Sequence, residues 1–106
     1  YARPRLTEYG WFYDAEGPYA DPLMGVTALH QAYARATPAY TGRITVPLLW
    51  DRETDTAVSN ESADLVRMLG RAFPGGPDLC PPALEEDIDR WNALTYPAFN
   101  TGVYRL

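Results

Sequence analysis

Two short segments of the sequence carry residue types that can hold a small zwitterionic ligand. Val46-Pro47 lies within an apolar run, and Asn60-Glu61-Ser62 opens a pattern typical of a helix. Free N–H groups at a helix N-terminus attract a carboxylate, and Ser62 adds a hydroxyl donor. Glu61 adds a negative charge that would repel a phosphate but can pair with an ammonium group. The combination favours the α-carboxylate and α-amino group of an amino acid, and the alternative is simple capping by Asn60 beside a solvated Glu61.

Pro47 is unusual in the run from Arg43 to Asp51. Proline cannot donate a hydrogen bond to a sheet, so it belongs at an edge, a bulge or a strand start. One interpretation is a cis-proline that leaves the backbone N–H and C=O of Val46 free for a ligand. The other is a strand that begins at Leu48. A hairpin after Pro47 would bring it close to Glu61, so one extended peptide with a free amino-acid head group could contact both.

The remaining reactive side chains are few. The single histidine, His30, lies beside an apolar helical stripe, where a structural or exposed role is the simpler interpretation. The single cysteine, Cys80, cannot form an internal disulfide, and the sequence shows no helix end or cationic neighbour to lower its pKa. This set of Cys and His residues is too small for a zinc site, so we expect no metal.

The first element expected to position these residues is a helix from Pro22 to Ala36. Asp21 can cap it, and Pro22 suits the first helical position. A loop over residues 1–22 precedes it, and we expect the aromatic side chains of this loop to pack against the core. The apolar residues of the helix recur at helical spacing: Val26, Leu29, Ala32, Tyr33 and Ala36.

A β-hairpin is predicted next. Residues 43–51 have apolar side chains on both alternating faces, which is typical of a strand covered on both sides. Residues 52–55 form a polar turn, and residues 56–58 form a short return strand. Because a two-stranded hairpin is not stable by itself, we expect its partner strands upstream of Tyr1.

Two further helices flank a linker rich in Pro and Gly. Ser59 or Asn60 can cap the first of them, and its buried stripe would consist of Leu65, Val66, Leu69, Ala72 and Phe73. The Pro- and Gly-rich residues 74–78 end this helix and are typical of a linker. The last helix starts near Pro81 or Pro82, and Pro97 kinks or ends it.

Composition and charge exclude several classes of function. The net charge is −5 and all nine basic residues are arginine, without a basic run, so a nucleic-acid surface is not expected. No apolar run approaches the length of a membrane span. A length of 106 residues fits one small domain or a piece of a larger one, and we interpret both ends as cuts. The single cysteine fits a reducing compartment, and we expect a cytoplasmic protein.

Taken in order, these segments resemble the glutathionyl-hydroquinone reductases, which are the Xi class of glutathione transferases. The strongest similarity lies in residues 40–51 (YTGRITVPLLWD), followed by Asn60-Glu61-Ser62. Further similar segments are Gly10-Trp11-Phe12, Ala20-Asp21-Pro22-Leu23, residues 82–89 and residues 100–105. The resemblance covers nearly the whole chain, and its joint specificity is high although each piece alone is modest.

The resemblance implies an α/β fold that consists of the C-terminal part of a thioredoxin-like domain, with a β-hairpin and helices, and the start of an all-α C-terminal domain. The expected boundaries are residues 1–74 for the incomplete glutathione-binding domain, 75–81 for the linker and 82–106 for the helical part. The family's Cys-Pro-Trp-Ala segment is not in the sequence, and we expect it to precede Tyr1. Cys80 is not a substitute, so these 106 residues should not catalyse the reaction alone.

The same resemblance implies roles for individual residues. Glutathione binding is implied for Trp11, Val46, Pro47, Glu61 and Ser62. Trp11 would contact the bound thiol peptide, and the main chain of Val46 would pair with the cysteinyl backbone next to a cis-Pro47. Glu61 and Ser62 would hold the γ-glutamyl head group.

Tyr104 matches the family tyrosine near the hydroquinone site and is the candidate catalytic residue. It could donate a hydrogen bond to a phenolic or quinone oxygen, and the alternative is an aromatic anchor for a turn. The implied activity of the parent is the reduction of glutathionyl-hydroquinones through a cysteine mixed disulfide, with glutathione as co-substrate and quinone or hydroquinone conjugates as partners. A homodimer is expected. The alternatives are a non-catalytic thiol-binding module, a conventional glutathione transferase, or an interaction domain that binds no thiol.

Overall fold

The computed structural model describes residues 6–73 and 75–105, so the expectations for Tyr1 and Pro74 lie outside the described residues. The helices and strands are α1 (Leu29–Ala36), β1 (Leu49–Asp51), β2 (Thr56–Ser59), α2 (Ser62–Ala72) and α3 (Glu85–Thr95). Three short turns of other helix types occupy Pro82–Leu84, Tyr96–Asn100 and Gly102–Tyr104. The chain forms two compact units, Tyr1–Leu65 and Val66–Leu106.

The segment before α1 is a loop whose aromatic residues are divided between the core and the surface. Trp11 and Tyr13 are half-buried and pack against the core of the first unit, as predicted. The Trp11 carbonyl accepts the N–H of Leu29 at 2.9 Å, which fixes the loop to the start of α1. Tyr9 and Tyr19 are exposed, so they do not act as anchors within the described part of the chain.

The predicted start of the first helix at Pro22 is wrong, because α1 begins at Leu29. Asp21 does hold free N–H groups, but they belong to a turn: its carboxylate accepts hydrogen bonds of 3.0–3.1 Å from Leu23, Met24 and Val26. Gly25 has a φ of +66° in this turn, a left-handed conformation that glycine adopts without steric cost and that a helix does not contain.

The true start of α1 is capped from inside the helix. The side-chain oxygen of Gln31 accepts the backbone N–H of Thr27 at 2.8 Å and that of Ala28 at 3.2 Å. These bonds satisfy N–H groups at the end of the incoming loop, where the helix offers no carbonyl partner. A glutamine three residues after the cap is a known capping signal, and here it marks the boundary that Asp21 was expected to mark.

The core of the first unit is built on one face of α1. Leu29, Ala32 and Tyr33 are buried, as the helical spacing predicts. Partly buried side chains pack against them from the loop and the hairpin: Trp11, Tyr13, Met24, Ile44, Leu48 and Trp50. Full burial of a large apolar side chain contributes about 1.5–3 kcal/mol and partial burial contributes less, so it is the sum over these contacts that positions the loop and the hairpin on α1.

The hairpin is present, but its first strand is shorter than predicted. β1 pairs antiparallel with β2 from Leu49↔Ser59 to Asp51↔Thr56, with an irregularity between Leu49 and Trp50. Residues 43–48 are not a strand, because no other described segment pairs with them. The turn forms as expected: the Asp51 carboxylate accepts the Glu53 N–H at 2.8 Å and the Thr54 hydroxyl at 2.6 Å.

The N-terminus of α2 differs from the prediction that Ser59 or Asn60 caps it. The carbonyl of Glu61 accepts the N–H of Leu65 at 3.0 Å, which makes Glu61 the capping position. The Ser59 hydroxyl instead accepts the Glu61 N–H at 3.1 Å. The expected buried stripe is also wrong, since only Leu65 is buried and no described element covers the rest: Val66, Leu69, Ala72 and Phe73 are exposed.

In the second unit, ion pairs join the end of α2 to α3. Arg67 pairs with Asp89 and lies 3.7 Å from Glu85, which also pairs with Arg71 at 3.1 Å. Pairing with Asp89 raises the pKa of Arg67. α3 follows Pro82–Leu84 and ends at Thr95, just before Pro97, as predicted.

The Cys80 thiol is buried. After the hydrogen bond to Asp89, an interaction with Cys80 is one of the smaller causes that raise the pKa of Arg67. The Cys80 backbone N–H donates to Asp78 at 3.0 Å.

Candidate functional site

A polar network centred on Tyr33 joins the two segments singled out in the sequence. The Tyr33 hydroxyl donates a 2.8 Å hydrogen bond to the Thr45 carbonyl. The Asn60 side-chain amide donates 3.2 Å hydrogen bonds to the Tyr33 hydroxyl and to the Thr45 hydroxyl. Thr45 immediately precedes Val46, and Asn60 immediately precedes Glu61. The network therefore connects the residues that immediately precede the two predicted halves of the site.

In the first half, the main chain of Val46 is available to a ligand as far as the described residues show. The Val46–Pro47 peptide bond is cis, as predicted, and Val46 is 47% exposed. Within residues 6–73 and 75–105, neither the N–H nor the C=O of Val46 takes part in a hydrogen bond. An extended peptide could pair with these groups as a strand pairs with a sheet edge.

The second half is the exposed N-terminus of α2. Glu61 and Ser62 are both exposed, and among the described residues no partner is found for the Glu61 carboxylate or the Ser62 hydroxyl. The first N–H groups of the helix have no partner in the preceding turn, so they can receive a carboxylate. Asp64 adds a second negative charge to the first turn, which strengthens the preference for an ammonium group.

Trp11 and Tyr104 have very different environments. Trp11 packs against the core of its unit, and the described contacts leave its predicted contact with a thiol peptide untested. Tyr104 ends the turn Gly102–Tyr104 and is 85% exposed. Such exposure does not support the alternative of an aromatic anchor, because the ring buries little surface within the described part of the chain. His30 is exposed on α1, which agrees with the simpler interpretation of that residue.

Sequence reasoning missed the polar role of three residues. Helical spacing places Tyr33 in the apolar stripe of α1, local pattern makes Ser59 or Asn60 the cap of α2, and alternation places Thr45 in a strand, but none of these patterns indicates the hydrogen bonds that join the three residues. One available signal was Tyr33 itself, since a tyrosine at a buried helical position requires a partner for its hydroxyl. A small cavity of about 160 Å³ is lined in part by Tyr33 and Asn60, but neither Val46 nor Glu61 lines it.

Perturbed ionisable groups in the first unit lie outside the candidate site. Burial, with a smaller contribution from the nearby Asp21 carboxylate, raises the pKa of Tyr13. Hydrogen bonds from the Thr54 hydroxyl and the Glu53 backbone lower the pKa of Asp51. These shifts reflect the packing of the loop and the closure of the hairpin turn.

The described part of the chain contains neither a metal-binding cluster nor a membrane-spanning helix. Within residues 6–73 and 75–105, no group of three or more His, Cys, Asp or Glu side chains could hold a metal ion. None of the helices in the described part of the chain is long and apolar enough to cross a membrane.

Comparison with known sequences identifies clear relatives, although no protein-family model matches the chain. The chain is 44% identical over 108 residues to the glutathionyl-hydroquinone reductase YqjG of Escherichia coli K12, covering 96% of the chain and 33% of that protein. It is 40% identical over 107 residues to the glutathionyl-hydroquinone reductase PcpF of Sphingobium chlorophenolicum, covering 94% of the chain and 34% of that protein. The chain thus spans about a third of the length of the curated relatives it matches.

Solved structures agree with the sequence comparison. The glutathione-bound structure of Escherichia coli YqjG superimposes with a TM-score of 0.85 at 42% identity, over 97% of the chain and 36% of that structure. Glutathione transferase Xi 1 from Trametes versicolor gives a TM-score of 0.81 at 38% identity, over 97% of the chain and 39% of that structure.

The fold is that of a segment of glutathione-transferase-type proteins, of the predicted α/β class, and is consistent with the C-terminal part of a thioredoxin-like domain and the start of a helical one. Within that class, the chain is a homologue of the Xi-class glutathione transferases and glutathionyl-hydroquinone reductases, which confirms the resemblance seen in the sequence. The relatives are enzymes, as expected. The domain boundaries and the roles of individual site residues stay predictions.

Proposed function

We propose that the complete protein binds glutathione between Val46-Pro47 and Glu61-Ser62 and uses it to reduce glutathionyl-hydroquinones. The observation that carries this proposal is the polar network that connects Thr45 with Asn60, the residues that precede Val46 and Glu61. Among the described residues, the Val46 main chain and the Glu61 carboxylate have no hydrogen-bond partner and are available to a ligand. A tripeptide with a free amino-acid head group suits both halves of the site: its backbone can pair with Val46, and its ammonium group can pair with Glu61. The similarity to a glutathione-bound structure supports the same ligand.

In the proposed complex, each residue recognises a different part of glutathione. The N–H and C=O of Val46 pair with the backbone of the cysteinyl residue, beside Pro47. The Glu61 carboxylate pairs with the γ-glutamyl ammonium group, and the Ser62 hydroxyl and helix N–H groups hold its carboxylate. Trp11 contacts the remainder of the peptide.

The proposed reaction is a thiol–disulfide sequence. A cysteine thiolate of the complete protein attacks the glutathionyl sulfur of the substrate; the carbon–sulfur bond breaks, its electron pair stays on the ring carbon, and that carbon gains a proton. The products are a hydroquinone and a protein–glutathione mixed disulfide. A second glutathione, as thiolate, then attacks the mixed disulfide, which regenerates the thiolate and forms oxidised glutathione. Tyr104 would donate a hydrogen bond to a phenolic oxygen of the substrate. We further propose that the protein is a cytoplasmic homodimer.

The binding part of the proposal is tested by isothermal titration of glutathione into the complete protein. Replacing Glu61 and Ser62 together by alanine should weaken binding at least tenfold, since hydrogen bonds to charged groups contribute about 1.5–3 kcal/mol each. Replacing Glu53, an exposed carboxylate of the hairpin turn, by alanine is the matched control and should leave the affinity unchanged. Equal affinity of the double variant and the unchanged protein would reject the site.

A further inference from the structure

We propose that Tyr33 is a positioning residue for the proposed glutathione site, and that its hydroxyl sets the direction of the Val46 N–H. This inference rests on the proposed function and goes beyond it, because Tyr33 is 5% exposed and is not among the residues expected to touch the ligand. The argument depends on the covalent geometry of one peptide unit and on the partners of one buried hydroxyl.

The Thr45 carbonyl and the Val46 N–H belong to the same planar peptide unit, and this unit is trans. In a trans unit the C=O and the N–H point in opposite directions. The Tyr33 hydroxyl holds the Thr45 carbonyl at 2.8 Å, so that carbonyl is directed toward α1. The Val46 N–H must therefore be directed away from α1, where a ligand can reach it.

The same hydroxyl also connects to the other half of the site. Tyr33 accepts a hydrogen bond from Asn60 at 3.2 Å, and Asn60 is bonded covalently to Glu61. One buried hydroxyl thus donates toward the residue before Val46 and accepts from the residue before Glu61. A ligand that spans both halves depends on their relative placement, whereas a ligand that contacts only Val46 does not.

A purely structural role predicts a different result. The Tyr33 ring lies in the apolar cluster with Leu29 and Ala32, and a phenylalanine ring would fill the same volume. Removal of the hydroxyl also leaves the 3.2 Å bond between Asn60 and the Thr45 hydroxyl in place. Tyr33→Phe should consequently fold, while it loses the hydrogen bond to the Thr45 carbonyl, the bond accepted from Asn60 and the 3.4 Å contact with the Thr45 hydroxyl.

The experiment compares two ligands on the complete protein by isothermal titration calorimetry. Glutathione contacts both halves of the proposed site, and cysteinylglycine can contact only the Val46 half. Tyr40→Phe is the matched control, because the Tyr40 hydroxyl donates a 3.0 Å bond to the Arg43 carbonyl and its ring packs 5.0 Å from that of Tyr33. The control removes a hydroxyl next to the network without touching it.

Tyr33→Phe should weaken glutathione binding roughly three- to tenfold, the range expected for one hydrogen bond. Cysteinylglycine binding should fall by a clearly smaller factor, because this ligand depends on the direction of the Val46 N–H but not on the placement of Glu61. Tyr40→Phe should change neither. An equal loss of affinity for both ligands overturns the inference. So does a Tyr33→Phe variant that binds glutathione as tightly as the unsubstituted protein does. Failure of the unchanged protein to bind glutathione overturns the proposed function itself, so the two failures are distinguishable.

Discussion

The side-chain amide of Asn60 donates a 3.2 Å hydrogen bond to the hydroxyl of Thr45, which lies fifteen residues earlier in the chain. The hairpin between them pairs only from Leu49↔Ser59 inward to its turn, so both residues lie beyond its last backbone pair. Side chains therefore continue the connection where the strands stop pairing. This continuation places the main chain of Val46 and the start of α2 on the same end of the hairpin.

Loss of the Asn60 amide should destabilise the first unit measurably. Asn60→Ala removes two hydrogen bonds but leaves the bond between Tyr33 and the Thr45 carbonyl, so we expect a loss of about 1–2 kcal/mol in the free energy of unfolding. Urea unfolding of the complete protein measures it. Asn92→Ala, at an exposed position of α3, is the control and should change stability by less than about 0.5 kcal/mol. Equal stability of the two variants would contradict the structural role of the network.

The elements that the sequence predicted well are those fixed by local chemistry. The hairpin turn follows from its polar residues, and the end of α3 follows from Pro97. The buried face of α1 follows from helical spacing. In each case the determining residue lies within a few positions of the feature it determines.

The errors arise where one side chain has several available partners. Asp21 and Asn60 are both good capping residues, yet Asp21 closes a turn and Asn60 bonds to residues far away in the sequence. Local pattern cannot distinguish these outcomes, because the competing partners are supplied by the tertiary fold. The wrong prediction of a buried stripe on α2 has the same cause. Periodicity identifies an apolar face of a helix but not the element that would pack against it.

The hairpin turn should respond to acid. Hydrogen bonds to Thr54 and Glu53 lower the pKa of Asp51, so the unfolded chain binds its proton more readily than the folded one. The contribution to stability is complete above the ordinary aspartate pKa of about 4 and is lost as the pH falls through the lowered value. The stability difference between the unchanged protein and Asp51→Asn should therefore be largest near neutral pH and shrink below about pH 4.

Urea unfolding at several pH values tests this expectation. Glu16→Gln is a suitable control, because it removes an exposed carboxylate for which no hydrogen bond is found in the described residues. The charge of Asp51 does not support the turn if Asp51→Asn and the unsubstituted protein differ in free energy of unfolding by the same amount from pH 7 to pH 3.

The charge of Glu61 should decide recognition of the ligand's amino group. Glu61→Gln keeps the size and polarity of the side chain but removes its negative charge, so we expect glutathione affinity to fall roughly tenfold. Calorimetry with glutathione and with its N-acetylated form measures the effect. The unchanged protein should bind the acetylated form weakly, and Glu61→Gln should show little preference between the two. If Glu61→Gln still prefers glutathione over its N-acetylated form, a group other than Glu61 binds the ammonium.

Tyr104 should affect the chemical step rather than glutathione binding. Its hydroxyl has no hydrogen-bond partner among the described residues and its ring is 85% exposed, so removal of the hydroxyl leaves the fold undisturbed. If it donates to a phenolic oxygen as charge develops there, Tyr104→Phe should lower kcat about tenfold or more, with the glutathione affinity unchanged.

The assay for this prediction measures, by chromatography, the hydroquinone that the complete protein releases from a glutathionyl-hydroquinone. The initial rates give kcat and KM. Tyr96→Phe removes another exposed tyrosine hydroxyl of the same unit and should leave both constants as they are. A rise in KM at constant kcat would instead assign Tyr104 to substrate binding alone, because uniform binding of substrate and transition state changes KM without changing the rate of the bound complex.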